Sequence, residues 1–292
     1  MADTFASKAY STSDYAEYRP KPPQALYDHI FEFHNRSGGQ YNVAIDIGCG
    51  PGQAAIDLSG SFREVIGVDP SETMLETARS TGPPANLSFR QGHADAVPFI
   101  KDASVDLVAA SVAAHWFPPR WYDEMARILK PGGTLAIWCY SGYIIDRKRW
   151  PSAPTADDLK ASMHELRDHD APGNDVINKL YDNLPLPDPD SAWTSVDRRA
   201  FDRQGKMYLE DGSFFMPALF TLKTLRKNIF TIGPCHRWKV ANPSLVGTDG
   251  DPIERVVRRV QEVMSIKDED EEFVLGREVA LLLFRRKGAK QL

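Results

Sequence analysis

Cysteine is scarce, positive charge is in deficit and no long apolar run occurs. Each shortage removes a class of protein. The three cysteines, Cys49, Cys139 and Cys235, are odd in number and scattered. That fits reduced thiols and argues against a disulfide framework or a zinc knot, so no metal is expected. Lys and Arg number 35 against 40 Asp and Glu, a formal charge of −5. Neutralising phosphates needs a surplus of basic side chains, so nucleic acid is not an expected partner. The richest apolar stretch, 279–284, is far shorter than the roughly 18 residues of a membrane span, so no membrane partner is expected either. Residues 1–14 are polar and lack the basic-then-apolar pattern of a secretion signal, so the expected location is the cytosol.

What is present is a globular composition. The 292 residues are 42% hydrophobic and 26% charged, with 20 Gly and 21 Pro. Such a chain buries a substantial core and forms one large domain, or one domain with an appendage. After a proline-broken aromatic segment, a helix is expected at about 23–35, ending at Gly38-Gly39. A regular alternation follows, with strands at 43–47, 64–68, 86–90, 105–110 and 134–139. Helices are expected between them at 52–59, 71–79 and 120–129, the last stopped by Pro131 and Gly132-Gly133. Strands separated by helices imply βαβ crossovers, hence a parallel sheet covered on both faces. From about residue 141 to 236 the composition shifts to Pro, Asp and aromatics, including the run 184–189, which reads as an inserted, partly helical cap. A strand is possible there near 198–203. A helix at 253–266, a solvated acidic loop at 267–272 and a last strand at 279–286 complete the pattern.

The segment Val43-Ala44-Ile45-Asp46-Ile47-Gly48-Cys49-Gly50-Pro51-Gly52 joins a strand to a helix through three alternate glycines. It departs from a dinucleotide fingerprint because Gln53 stands where the third small residue belongs. An acidic residue also precedes the first glycine, where a pyrophosphate is unwelcome. The ligand of this turn should lack phosphate and offer a cationic group to Asp46. Asp69 ends the second strand, 21 residues after the first glycine. A carboxylate there holds both hydroxyls of a ribose, or else caps the following helix, although Ser71 is better placed for capping. Asp95, in Gly92-His93-Ala94-Asp95-Ala96-Val97-Pro98-Phe99, can accept a hydrogen bond from an adenine amino group, or is an ordinary loop residue.

Together with Val105-Asp106-Leu107-Val108 and Arg127-Ile128-Leu129-Lys130-Pro131-Gly132-Gly133-Thr134, these motifs resemble class I S-adenosylmethionine-dependent methyltransferases in the family's order. A narrower likeness, to the trans-aconitate methyltransferase-like group of small-molecule methyltransferases, lies in Tyr15-x-x-Tyr18-Arg19-Pro20-x-Pro22, Ala114-His115-Trp116-Phe117 and Trp138-x-Tyr140. The resemblance implies a Rossmann-like α/β fold. Its seven-stranded, mostly parallel sheet would have an antiparallel last strand, helices on both faces and an inserted, mostly helical cap. The implied organisation is a lid segment at 1–40, an S-adenosylmethionine-binding core at 41–140, the cap at 141–236 and a return to the core at 237–292. Asp46, Gly48, Cys49, Gly50 and Gly52 would then line the methionine part of the cofactor. Asp69 and Pro70, with Met74 nearby, would hold the ribose and one adenine face. His93, Ala94, Asp95 and Ala96 would frame the adenine, and Ser111 and Val112 would lie under the sulfonium.

Around the acceptor, His115 is a candidate base or donor and equally a candidate structural histidine. Trp116 is a candidate pocket wall, Tyr140 a donor, and Arg19 with Tyr18 a clamp for a carboxylate. The cluster Phe214, Phe215, Met216 and Phe220 is read as core. The expected activity is in-line transfer of a methyl group from S-adenosylmethionine to a small-molecule acceptor, most readily a carboxylate or hydroxyl oxygen. The rivals are transfer to nitrogen, sulfur or carbon, a regulatory protein that holds the cofactor without turnover, and a dinucleotide oxidoreductase, which Gln53 disfavours.

Overall fold

A computed structural model describes residues 10–188, 191–194 and 196–288. Residues 1–9 of the expected lid segment, Pro189 of the proline-rich run, and residues 190, 195 and 289–292 lie outside the described residues. The elements, in chain order, begin with α1 (Thr12–Tyr18), α2 (Gln24–Asn35), β1 (Val43–Ile47), α3 (Gln53–Ser59), β2 (Glu64–Asp69) and α4 (Glu72–Ser80). Then come β3 (Leu87–Gln91), β4 (Val105–Ser111), α5 (Trp121–Ile128) and β5 (Leu129–Ile144). The later part holds α6 (Ala156–Ala161), α7 (Pro172–Asn178), β6 (Asp197–Phe201), β7 (Pro217–Phe220), α8 (Leu222–Phe230), α9 (Gly233–Ala241), α10 (Pro252–Met264) and β8 (Phe273–Arg285).

The strands form one sheet of eight in the order β3-β2-β1-β4-β5-β8-β6, with the short β7 also paired to β8. Neighbours from β3 to β5 are parallel, and β8 is antiparallel to β5, β6 and β7. Only β8 therefore opposes the common direction, as the sequence led us to expect of the last strand. The expected count of seven is exceeded by one. The four-residue β7 is added beside the start of β8, where Leu219 faces Val274 and Phe220 faces Phe273.

Strands β1, β2 and β4 are almost wholly buried, because helices cover both faces. One face packs Ile45, Val108, Ile137 and Leu282 against Trp121 and Met125 of α5. The other packs Ala44, Val65, Leu107 and Trp138 against Leu26 and Ile30 of α2 and Leu58 of α3. A third cluster joins α8 and α10 to Leu275 and Phe273 of β8. Val256, Val257 and Val260 of α10 are buried in it, as their helical spacing predicts.

Two expectations need correction. The fifth strand does not begin after Pro131 and Gly132-Gly133 but runs through them from Leu129 to Ile144. A register shift between Val105 and Leu107 absorbs the irregularity, and the Gly132 and Gly133 backbones pair with Arg286 instead. The segment ahead of the prolines is also helical. Ser11 caps α1 by accepting the Asp14 N–H, and the helix ends before Pro20. Among the described residues, no helix is long and apolar enough to cross a membrane.

Asp106 shows how the core motif is held. Its carboxylate is 3% exposed and accepts the N–H groups of Val43 (2.9 Å) and Asn42 (3.2 Å) and the Lys130 ammonium (2.6 Å). It thus ties the starts of β1, β4 and β5 together. Replacing Asp106 with Asn removes the charge from this junction and is expected to cost about 1–3 kcal/mol of unfolding free energy in urea titration. An unchanged midpoint would show that the junction is held by the strands alone.

Candidate active site

At the carboxyl ends of β1, β2, β4 and β5 a single cavity of about 770 Å³ opens. Open α/β sheets place their ligands at strand carboxyl ends. Its near half is lined by Gly48, Gly50, Asp69, Pro70, Met74, Val112 and Ala113, and its far half includes Arg19, His115, Trp116, Tyr140, Tyr143 and Arg277.

The glycine turn is shaped by two different demands. Gly48 has φ of +70°, and a Cβ on it would stand 2.6 Å from the Ala113 Cβ and 2.9 Å from the Phe117 ring, so the position is closed to any side chain. Gly50, at φ of +52°, would point a Cβ into open space. There the backbone itself forms the cavity wall, and a ligand can approach it closely. Asp69 holds the turn in place. Its Oδ2 accepts the Gly50 N–H at 2.9 Å and its Oδ1 accepts the Ser71 N–H at 2.8 Å. Burial raises its pKa, and those two N–H groups oppose the rise. Ser71, not Asp69, caps α4, its hydroxyl accepting the Met74 N–H.

Asp46 is fully buried beneath the turn and does not line the cavity. Neither of its oxygens has a hydrogen-bond partner among the described residues. Burial pushes its pKa up to about 7, with the nearby Ala55 N–H offsetting part and the charges of Asp69 and Asp57 adding to it. Cys49 and Gly52 likewise stand outside the lining, and burial raises the Cys49 thiol further. Val112 follows β4 in the left-handed region at φ of +52°, pinned by its N–H to the Trp138 carbonyl at 2.8 Å. Such strain is held where surrounding structure over-determines it, often at functional sites. Ser111, one residue earlier, is outside the lining. His93, Ala94, Asp95 and Ala96 form a tight turn, closed by the Ala96 N–H on the His93 carbonyl, beyond the cavity. The Asp95 carboxylate is bound there by Arg120, which outweighs burial and lowers its pKa.

In the far half, Arg19 lies over the Tyr15 ring at 4.8 Å and reaches the Thr231 carbonyl at 3.3 Å. Its Nε is buried without a partner, and no carboxylate pairs with it among the described residues. Tyr18 is not brought to the cavity. Its hydroxyl accepts from the Lys227 ammonium at 2.8 Å on the outer side. His115 and Trp116 occupy a short 3-10 turn after β4, with their rings 4.6 Å apart. Burial, with the Arg19 charge adding, pushes the His115 pKa down to about 3, so the imidazole is neutral. Tyr140 lines the cavity, whereas Phe215, Met216 and Phe220 are buried in the core clusters.

Arg277, which the sequence did not single out, is 3% exposed and lies 3.7 Å over the Tyr143 ring. It donates to the Asn228 Oδ1 and the Gly142 carbonyl, and its Nε has no partner among the described residues. The available signal was a charged pair, Arg277-Glu278, inside an otherwise apolar strand. Gln53, noticed only as a departure from the dinucleotide pattern, donates to the Ala16 carbonyl and fastens α1 to α3.

A mostly parallel sheet with one reversed strand, helices on both faces and a glycine turn at its switch point is a Rossmann-like α/β architecture. Residues 45–137 match the family described as methyltransferase domain. A Dictyostelium discoideum protein described as a methyltransferase is 37% identical over 139 residues, 47% of this chain and 49% of that one. Trans-aconitate 2-methyltransferase of Methylobacterium radiotolerans is 38% identical over 99 residues, 32% of this chain and 36% of that one. The matches thus span about half or less of the length of these curated relatives. A solved Anaeromyxobacter dehalogenans structure, described as a type II methyltransferase, shares the fold with a TM-score of 0.63 at 20% identity. It covers 92% of this chain and 97% of that one.

The orphaned Asp46 carboxylate gives the site a pH signature. Its pKa in the folded protein, about 7, exceeds the ordinary 3.8. The folded state therefore binds the extra proton between these values, and its contribution to stability falls as pH rises through that window. Asp46→Asn should gain stability over the wild type on going from pH 5 to pH 8, read by urea unfolding at both. A difference independent of pH would show that Asp46 is not the group that titrates.

Proposed function

We propose that the chain is a methyltransferase that uses S-adenosylmethionine and methylates a small acceptor at oxygen, most readily a carboxylate. The observation that carries the acceptor class is the pair of enclosed guanidinium groups in the far half of the cavity. Arg19 and Arg277 are enclosed there with partnerless Nε groups, and no carboxylate pairs with either among the described residues. A guanidinium held this way favours an anion, which it can bind through parallel N–H donors.

The near half suits the proposed cofactor. Its turn carries no basic side chain, Gly50 leaves backbone open to a ligand, and the Asp46 carboxylate below is without a partner. Asp69, at the end of β2, keeps lone pairs available for two hydroxyls while bracing the turn. When bound, the cofactor supplies a methyl group already activated by a positively charged sulfur. What the protein adds is alignment, which can supply about 7–11 kcal/mol of an in-line displacement. Arg19 and Arg277 hold the acceptor, Trp116 and Tyr140 wall it, and α1 covers the cavity. A carboxylate acceptor needs no base, which agrees with the low basicity of His115.

Methyl transfer from labelled S-adenosylmethionine to a panel of small carboxylic acids, phenols and amines tests the reading. Product is expected from the carboxylic acids, and Arg19→Ala should weaken their apparent binding by about 1.5–3 kcal/mol while changing S-adenosylhomocysteine affinity less. Transfer to amines alone, or the opposite order of effects, overturns the assignment.

Asp69→Ala is expected to weaken S-adenosylhomocysteine binding by about 1–3 kcal/mol, through lost hydrogen bonds and a loosened turn. Equal affinity by calorimetry would remove Asp69 from the cofactor site.

A further inference from the structure

Leu180 and Tyr181, in the segment after α7, are consecutive non-glycine residues in the left-handed region, at φ of 52° and 62°. Backbone in that region persists only where something holds it. The holder is Arg198 of β6, which donates to the Tyr181 carbonyl at 2.6 Å and to the Leu180 carbonyl at 3.2 Å. The result drives Tyr181 into complete burial with its hydroxyl 3.0 Å from Nδ1 of His115.

That hydroxyl sits at the start of the 3-10 turn that carries His115. The Ala114 and His115 N–H groups face its oxygen. They are the first N–H groups of the turn, which have no carbonyl partner within it. An oxygen that accepts there turns its own hydrogen elsewhere, and Nδ1 is the acceptor in range. An imidazole whose Nδ1 accepts carries its proton on Nε2. Nε2 has no hydrogen-bond partner among the described residues, and His115 lines the far half of the cavity.

We propose that Tyr181 is a positioning residue that fixes His115 in the Nε2–H form, so that His115 offers the acceptor a hydrogen-bond donor and not a base. The group received there carries a lone pair, as a carboxylate or carbonyl oxygen does. The role toward an acceptor rests on the methyl-transfer reading, whereas the tautomer does not.

The full chain labelled with nitrogen-15 in its seven histidines tests this by NMR at neutral pH, the His115 signals being assigned by their loss in His115→Gln. The expected wild-type pattern has a protonated Nε2 and a bare Nδ1. Tyr181→Phe, which removes only the hydroxyl, should shift His115 to a mixture of both forms. S-adenosylhomocysteine affinity by calorimetry should stay as in the wild type. A proton on Nδ1 in the wild type overturns the proposal, and so does an unchanged pattern in Tyr181→Phe. If Tyr181→Phe does not fold, the wild-type spectrum alone decides. Failure of the wild type to bind S-adenosylhomocysteine would refute the methyl-transfer reading and leave the tautomer result standing.

Discussion

The carboxylate of Asp69 sits where two βα units meet, and both units depend on it. One oxygen takes the Gly50 N–H from the turn after β1, and the other takes the Ser71 N–H from the turn after β2. The Gly48 and Cys49 N–H groups meanwhile donate to the Val68 carbonyl, at 2.7 and 3.0 Å. Four backbone donors of two turns are thus satisfied at the end of a single strand. Backbone left without such partners in a buried turn would carry a substantial cost. The open surface of Gly50 follows from this arrangement, because the turn is fixed from behind and needs no side chain in front.

Helix α1 and its flanking residues rest on both banks of the cavity. On the near bank, the Ala16 carbonyl accepts from Gln53 and the Thr12 hydroxyl meets that of Thr77. On the far bank, Asn228 donates to the Tyr18 carbonyl, and the Tyr10 hydroxyl and Arg19 both reach the Thr231 carbonyl. The same Asn228 accepts from Tyr143 and Arg277 through its Oδ1. One amide therefore connects the end of α1, the end of β5 and the reversed strand β8. Asp46 and Asp69 lie under and beside the turn, and the enclosed guanidinium groups of Arg19 and Arg277 lie across the cavity, whose far lining also carries Asp157, Asp170 and Asp175.

The core was legible because its elements announce themselves locally. β1 falls where its β-branched run ends at the glycines, and α10 where valines recur at helical spacing. The structure departs from that reading where a distant partner overrides a local signal. Pro131-Gly132-Gly133 reads as a break, yet β5 passes through it because Arg286, just after β8, supplies the pairing. Helix α1 was hidden because its partners, in α3, α4 and α8, are far away in sequence. The site divides the same way. The turn glycines, Asp69, His115 and Arg19 sit in recognisable local patterns. Arg277 and Tyr181 come from a strand and an irregular turn whose neighbours are set only by the folded chain.

The contrast between Asp46 and His115 gives the site its chemical character. Both are enclosed groups driven toward neutrality by burial. For Asp46 the change falls within ordinary pH, because burial and the charges of Asp69 and Asp57 bring its pKa to about 7. For His115 it does not, because the nearest charge is the Arg19 cation, which drives it further in the same direction. One group is thus poised to respond to a positive ligand, and the other is locked out of proton transfer near neutral pH. A site so built selects by charge and geometry and leaves the reactivity to the bound reactants. On the methyl-transfer reading proposed above, such a site suits an acceptor that is already ionised, since His115 does not ionise it.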